Sequence, residues 1–213
     1  MICHIGARPT VGKLQERLGE AAAKYFPTAD LTTPLRIAHA LAQQCVETRN
    51  FGTLVENLNY SVEGLRGTFR KSRISDADCQ SLGRKPGGAA LSAAVQEKIA
   101  NLVYGGAFGL KNLGNKQVGD GWNYRGRGAK QTTGRANYTD VKDVTGIDVV
   151  SNPELLEDPD MGMQAACIFW DKKNCNHWAD KDDITNLTKA INGGTNGLPE
   201  RKAALVRAKA ILL

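Results

Sequence analysis

Apolar residues recur at helical spacing along nearly the whole chain, and one long stretch, 105–133, interrupts that spacing with glycines. Val11, Leu14, Leu18 and Ala22 keep the helical period up to Tyr25 and Phe26, where Pro27 stops it. A second helix opens at Thr33, whose hydroxyl can cap it, and at Pro34, whose missing N–H costs nothing in the first turn. Leu35, Ala38, Leu41, Ala42 and Cys45 form its apolar stripe. The same pattern predicts helices over 61–70, 75–82, 92–104, 134–144, 159–171, 183–192 and 199–212. Pro153, Pro159 and Pro199 mark starts of turns or helices. The 105–133 stretch has room for a short β-hairpin. The expectation is a mainly α fold of α+β lysozyme-like size, with two lobes around a cleft and a small hairpin or irregular lobe. A single domain over 11–213 would follow a loose extension over 1–10.

The net charge of +6 and a pI near 9.1 point to a polyanionic target. Nucleic acid, anionic lipid and bacterial cell wall all qualify, and charge does not choose among them. Apolar content of 41% and charged content of 23% are those of an ordinary soluble globule. No run approaches the roughly 18 apolar residues of a membrane span. The opening MICHIGARPTVGK lacks a continuous apolar stretch, so no secretory signal is expected. Five cysteines without CxxC spacing suggest reduced, packed thiols in a chain made in the cytoplasm. His4, His39 and His177 share no metal-like spacing, and Cys175-x-His177 is too isolated for zinc. His39 and Cys45, six apart on one helix, make a poor nucleophilic pair, and His39 is better read as a core partner. No metal and no cofactor are expected.

The loop GDGWNYRGRGAKQTTGRANY, 119–138, carries most of the chemical signal. Gly121 and Gly126 have the spacing of a P-loop, but Arg127-Gly128 follows where Lys-Ser/Thr is required. One short YRGRG is too little for a nucleic-acid segment, so no nucleic-acid partner is expected. A sugar suits the composition better. Aromatic faces pack on pyranose rings, amides and Arg donate to hydroxyl and acetyl oxygens, and glycine lets backbone approach. For Trp122 and Tyr124, core and cleft stand even.

Upstream, AHALAQQCVETRNFGTLVENLNYS holds Glu47 and Glu56, nine residues apart. Glu47 lies about 120° around the helix from Leu35, off the apolar stripe. It sits at the helix C-terminus, where the dipole disfavours a negative charge, as a general acid in a cleft requires. Glu56 follows the Gly52 turn, which can bring it back across a groove. Carboxyls about 6.5–9.5 Å apart, with a water between them, suit an inverting glycosidase. Taken alone, two glutamates at this spacing are more often surface residues.

With Gln43, Glu47, Phe51 and ENLNYS at 56–61, the sequence resembles glycoside hydrolase family 19, in its phage and prophage endolysin branch. IANLVYGG at 99–106, the 119–138 loop, NPELLEDP at 152–159 and INGGTNG at 191–197 continue the resemblance in order. It implies Glu47 as general acid and Glu56 as the second carboxylate and base. It further implies Thr133 as the hydroxyl holding the attacking water and Gln131 as a substrate-contacting amide. Asn137 would contact sugar, Asn192 and Arg201 would line the cleft, and Tyr60, Trp122, Tyr124 and Arg125 would wall or support it. One departure stands out: the family usually has His before the acid and Ser or Thr with small residues after it, whereas this chain reads Val46-Glu47-Thr48-Arg49-Asn50. That removes a polar neighbour and adds a cation, Arg49, that would work against a protonated acid.

LPERKAALVRAKAILL at the C-terminus is amphipathic, with Leu205, Ile211 and Leu212 expected inward and Lys202, Arg207 and Lys209 outward. A solvated face is the plain reading, and transient outer-membrane contact the alternative. The resemblance implies an endolysin that hydrolyses β-1,4 bonds of peptidoglycan glycan strands, as an N-acetylmuramidase acting by inversion. It would work as a monomer, collect in the host cytoplasm before lysis, and then act on periplasmic murein. A chitinase, an antibacterial effector of the same family and an inactive glycan-binding protein are the rival readings.

Overall fold

A computed structural model describes residues 1–6 and 12–213, apart from the side chain of Cys3. The helices are α1 (Ile2–Ile5), α2 (Lys13–Tyr25), α3 (Pro34–Glu47), α4 (Val62–Thr68), α5 (Asp76–Leu82), α6 (Ala93–Val103) and α7 (Gly106–Leu113). They continue as α8 (Asp120–Asn123), α9 (Arg135–Thr145), α10 (Pro159–Lys172), α11 (Asn176–Ala179), α12 (Ile184–Asn192) and α13 (Leu198–Leu212). The mainly helical fold is as expected. Every helix read from apolar spacing is present, and Thr33 caps α3 by accepting from the Arg36 N–H at 3.3 Å. Val11, read as the start of the first helical run, lies outside the described residues. The helices α1, α7, α8 and α11 are additional: α1, α8 and α11 span four residues each and leave little periodicity to read, and α7 lies in the glycine-rich stretch that interrupts it.

Three apolar clusters divide the molecule. The largest joins α1, α2, α3, α10, α12 and α13 around Leu18, Leu41, Phe51, Met163 and Leu187. A second, built on α4, α5 and α6, packs Leu58, Leu65, Phe69, Ile99 and Val103. A third packs Tyr124 and Tyr138 over Leu156. The first two are the cores of two lobes, and the candidate cleft runs between the segments that link them.

Two expectations change here. Residues 2–6 do not hang loose: Ile5 is fully buried with Ile2 in the main core, because these apolar side chains close the end of the α2–α3 packing. The remainder of that extension, 7–10, lies outside the described residues. The C-terminal helix does not present a uniform basic face either. Arg207 Nε donates to the Ile5 carbonyl at 2.8 Å and Lys209 pairs with Asp182. Leu205 is buried as expected, yet Ile211 is exposed. Intramolecular partners thus claim two of the three cations.

Cys79, Cys167 and Cys175 are buried free thiols, and Cys45 is buried as well. His39 is a buried core partner, its Nε2 2.7 Å from Asp182 Oδ1, and burial pushes its pKa down. Among the described residues no helix is long and apolar enough to cross a membrane, and no cluster of acidic, Cys and His side chains could hold a metal.

Candidate active site

Glu47 is the last residue of α3, one helical turn beyond Gln43 and on the same face. That face meets α13, which packs along α3. From α13 the buried Arg201 directs Nη1 to Gln43 Oε1 and Nη2 to Glu47 Oε1, the latter at 2.6 Å, while its Nε donates to the Asn196 carbonyl at 3.3 Å. Gln43 is fixed in turn by donating to Thr188 Oγ1 at 3.1 Å. Arg201 thus brings a cation to Glu47, and the charge of Arg49 is felt by Glu56 and Tyr60. Val46 also has a physical role. Gly197, at the N-cap of α13, lies so close that a Cβ there would come within 3.1 Å of Val46 Cγ1, so a small apolar side chain fits the α3–α13 contact.

Beyond Glu47 the chain reverses sharply. Arg49, Asn50 and Phe51 are successive left-handed residues, with φ of 49°, 62° and 56°. Such residues cost about 1–3 kcal/mol each, so the surroundings must enforce them. Thr48 Oγ1 accepts from the Phe51 N–H at 2.9 Å, the Phe51 carbonyl accepts from Gln15 Nε2 at 2.5 Å, and the Phe51 ring is fully buried. Burying that ring contributes about 2–3 kcal/mol. The reversal sends residues 54–56 alongside 126–128: the Gly128 N–H donates to the Leu54 carbonyl and the Glu56 N–H to the Gly126 carbonyl, both at 2.8 Å. Arg127 exchanges two backbone hydrogen bonds with Thr132, at 3.1 and 2.7 Å. The expected hairpin is thus a three-segment ribbon of isolated bridges, turned by Gly128 and a left-handed Gln131.

This ribbon places Glu56. Tyr104, the residue capping the C-terminus of α6, donates its hydroxyl to Glu56 Oε1 at 2.6 Å, and the Gly126 N–H donates to Oε2 at 3.1 Å. Burial pushes the Glu56 pKa up, and these two donors with the charges of Arg125 and Arg49 partly offset the rise. Burial also raises Tyr104 well above the ordinary phenol range. A cleft of about 390 Å³ has both Glu47 and Glu56 in its walls, with Tyr60, Tyr104, Gln131, Thr133 and Arg201. A larger apolar cavity of about 650 Å³, between α2 and α3, shares no lining residue with it.

Thr133 Oγ1 donates to the Gln131 carbonyl at 2.9 Å, which leaves its oxygen free to accept. Asn137 stands behind it, donating to the Thr133 carbonyl at 2.7 Å, and so supports the ribbon without lining the cleft. Trp122 and Arg125 are also supports: the guanidinium lies 3.7 Å from the indole centroid and donates to the Trp122 carbonyl. Tyr124 is core, buried against Tyr138 with its hydroxyl on the Val150 carbonyl at 3.0 Å. Asn192 is exposed and ties the 192–196 turn through the Gly194 N–H and the Asn196 carbonyl. Only Asn196, from that turn, reaches the cleft.

Sequence reasoning assigned no role to Tyr104, Gly126 or Gln43. Tyr104 and Gly126 fall inside the quoted segments 99–106 and 119–138, yet nothing in their spacing announces a partner 48 or 70 residues away. Lys130 was also missed. It is packed with its ammonium 3.4 Å from the Phe169 ring centroid, and burial lowers its pKa to about 8.

No family-wide sequence profile matches the chain. A Haemophilus influenzae protein described as "Glycosyl hydrolase family 19 domain-containing protein" is 34% identical over 183 residues, which is 85% of this chain and 82% of that one. Chitinase C from Streptomyces griseus HUT6037 superposes with a TM-score of 0.59 at 16% identity, over 99% of this chain and 90% of the other. A mutant of chitinase C gives a TM-score of 0.54 at 19% identity, over 92% and 68%. At these identities the two crystal structures show a shared fold. With the cleft and its two carboxylates, the class is that of a glycoside hydrolase. The chain belongs to glycosyl hydrolase family 19.

Proposed function

We propose that this hydrolase cleaves the β-1,4 bonds of peptidoglycan glycan strands, as an endolysin with N-acetylmuramidase specificity and an inverting acid/base mechanism. The observation that carries the reading is the placing of Glu47 and Glu56 on one cleft, each fixed by a separate hydrogen-bonding frame, with Gln131 and Thr133 also in its walls. Glu47 is the general acid: Oε2 protonates the leaving glycosidic oxygen while Arg201 holds Oε1. Glu56 is the base. Its carboxylate, held by Tyr104 and Gly126, takes a proton from a water whose other hydrogen-bond partners are Thr133 Oγ1 and the Gln131 amide. Water attacks the anomeric carbon opposite the leaving group, so the product anomer is inverted. Raised basicity at Glu56 suits this task, since a base works best with a pKa moved toward the working pH.

The net charge of +6 favours an anionic wall polymer, and the sequence resemblance to the phage endolysin branch supports the lysin role. In that role the chain acts as a monomer that collects in the host cytoplasm and meets murein once the membrane is opened. The test is mass spectrometry of the fragments released from purified Gram-negative murein. Reducing N-acetylmuramic acid ends are expected. Reducing N-acetylglucosamine ends would refute the muramidase assignment, and release of oligosaccharides from chitin alone would refute the peptidoglycan reading.

A further inference from the structure

Glu47 has two sides. One lines the open cleft, and the other lines a small cavity of about 20 Å³ between α3 and α10. Among the described residues no other side chain lines both. Lys130 enters the small cavity from the turn of the ribbon, where Gly128 and Gln131 are left-handed with φ of 77° and 57°. Its ammonium lies 3.4 Å from the Phe169 ring centroid, so the face of that ring fixes where the charge sits. A cavity of this size has space for about one water, not for the hydration shell of an ammonium. Among the described residues lining it, Glu47 is the one acid. A cation and the candidate general acid therefore share a space closed off from bulk water.

Electrostatics gives that arrangement a consequence. A charge with little water around it acts more strongly on its neighbours than one on the surface. A cation favours the ionised form of a nearby carboxyl, whereas a general acid has to keep its proton until the leaving oxygen takes it. Other charges face this pair. Arg201 bonds Glu47 from α13, and Arg49 and Glu56 stand in the cleft walls. Lys173 reaches the same Phe169 ring, at 5.7 Å, and it and Cys175 are the further titratable groups that act on Lys130. Phe169 and Trp170 of α10 and Ile191 of α12 bring no charge. We propose that Lys130 is a positioning residue for the reaction, its ammonium acting on Glu47 across the closed cavity and so setting the alkaline limit of catalysis. Lys130 thereby confines activity to lower pH than a neutral side chain at this position would. The assignment rests on Glu47 being the general acid.

The test has two arms. The first measures kcat/KM against pH for wild type, Lys130→Met and Lys130→Arg, on whichever of purified murein and glycol chitin the wild type cleaves. Met fills the space of the lysine stem without its charge, so Glu47 keeps its proton to higher pH. The alkaline limb is expected to move up by about one unit in Lys130→Met. Lys130→Arg keeps the charge and leaves the limb in place. The second arm follows the Lys130 amine by NMR titration in wild type and Glu47→Gln. Wild-type Lys130 is expected to titrate at about 8, where the negative charge of Glu47 holds it up against burial. Coupling between two sites is reciprocal, so Lys130 should titrate about one unit lower in Glu47→Gln. Both shifts are required, and the absence of either would overturn the assignment. A role in packing alone would lower activity at every pH and move neither the limb nor the titration. An equal movement of the limb in both Lys130 variants would also overturn it, because charge would not be the cause. If Lys130→Arg does not fold, Lys130→Met and the NMR arm decide. The acid reading fails separately, if Glu47→Gln retains most of the activity, and the role of Lys130 then falls with it.

Discussion

Arg201 Nη2 lies 2.6 Å from Glu47 Oε1, joining residues 154 positions apart and tying the C-terminal helix to the end of α3. The side chains are 4% and 18% exposed, so the pair is well shielded from solvent. Removing one partner leaves the other unpaired in a poorly solvated place. Arg201→Ala is expected to destabilise the fold by about 3 kcal/mol in urea titrations. Glu47→Gln keeps an oxygen to accept from Arg201, so the protein should stay folded by circular dichroism while kcat drops about 10²–10⁴-fold. Retention of most activity by Glu47→Gln would show that another group is the acid.

Tyr104 and Gly126 hold Glu56 against the rise in pKa that burial causes. Tyr104→Phe deletes a donor to the ionised form, so the Glu56 carboxyl is expected to titrate at higher pH. The acidic limb of kcat/KM against pH should then move up by about one unit, the smaller end of what a charge-assisted hydrogen bond allows. An unmoved limb in Tyr104→Phe would mean that Glu56 does not set it.

Gly126 is where the ribbon backbone passes closest to the base. A Cβ at this position would come within 2.8 Å of Gln131 Oε1 and 3.3 Å of Glu56 Oε2. Gln131 has a flexible end and can swing away, but only by leaving its place in the cleft. Gly126→Ala is expected to lower kcat about tenfold or more by misplacing the water-holding groups, with less than about 1 kcal/mol lost in stability. A variant that is fully active but unstable would show that this glycine serves packing alone.

Lys130 makes stability depend on pH in a defined window. Its pKa falls from 10.5 to about 8 in the folded protein, chiefly because burial disfavours the charged form. Between those values the unfolded chain binds more protons than the folded one, so this group makes the protein more stable as pH rises from 8 to 10.5. Lys130→Met avoids burying a charge and is expected to raise stability at pH 7 by at most about 3 kcal/mol, less what the contact with Phe169 contributes. That gain should shrink across the window and vanish above it in urea titrations run at a series of pH values. A gain independent of pH would show that Lys130 is not the group responsible.

How far the fold was legible follows from which interactions are local. The Thr33 cap, the Pro34 start and the apolar stripe of α3 act within a few residues, so they can be read along the chain. The same holds for α12 and α13. The brief α7 and α8 were not legible within the glycine-rich stretch, because their backbone conformation is imposed by packing. Gly121, for example, lies against the Ala100 carbonyl and the Asn101 Cα, where no Cβ would fit. Among the site residues, Glu47, Glu56, Tyr60, Gln131, Thr133 and Arg201 meet at the cleft as the family resemblance implied. Tyr124, Asn137 and Asn192 do not, since their side chains are claimed by neighbouring backbone groups.

By itself the sequence determined most of the helical elements and the cap of α3, and its ordered motifs pointed to the family. Only the tertiary structure decided which cation bonds the candidate acid, which donors hold the candidate base, and which aromatics are core. These outcomes depend on contacts between residues far apart in the chain, such as Arg201 with Glu47 and Tyr104 with Glu56. Periodicity and capping act over one or two turns of helix, whereas the environment of a buried charge is set by whatever else the fold brings within a few ångströms of it.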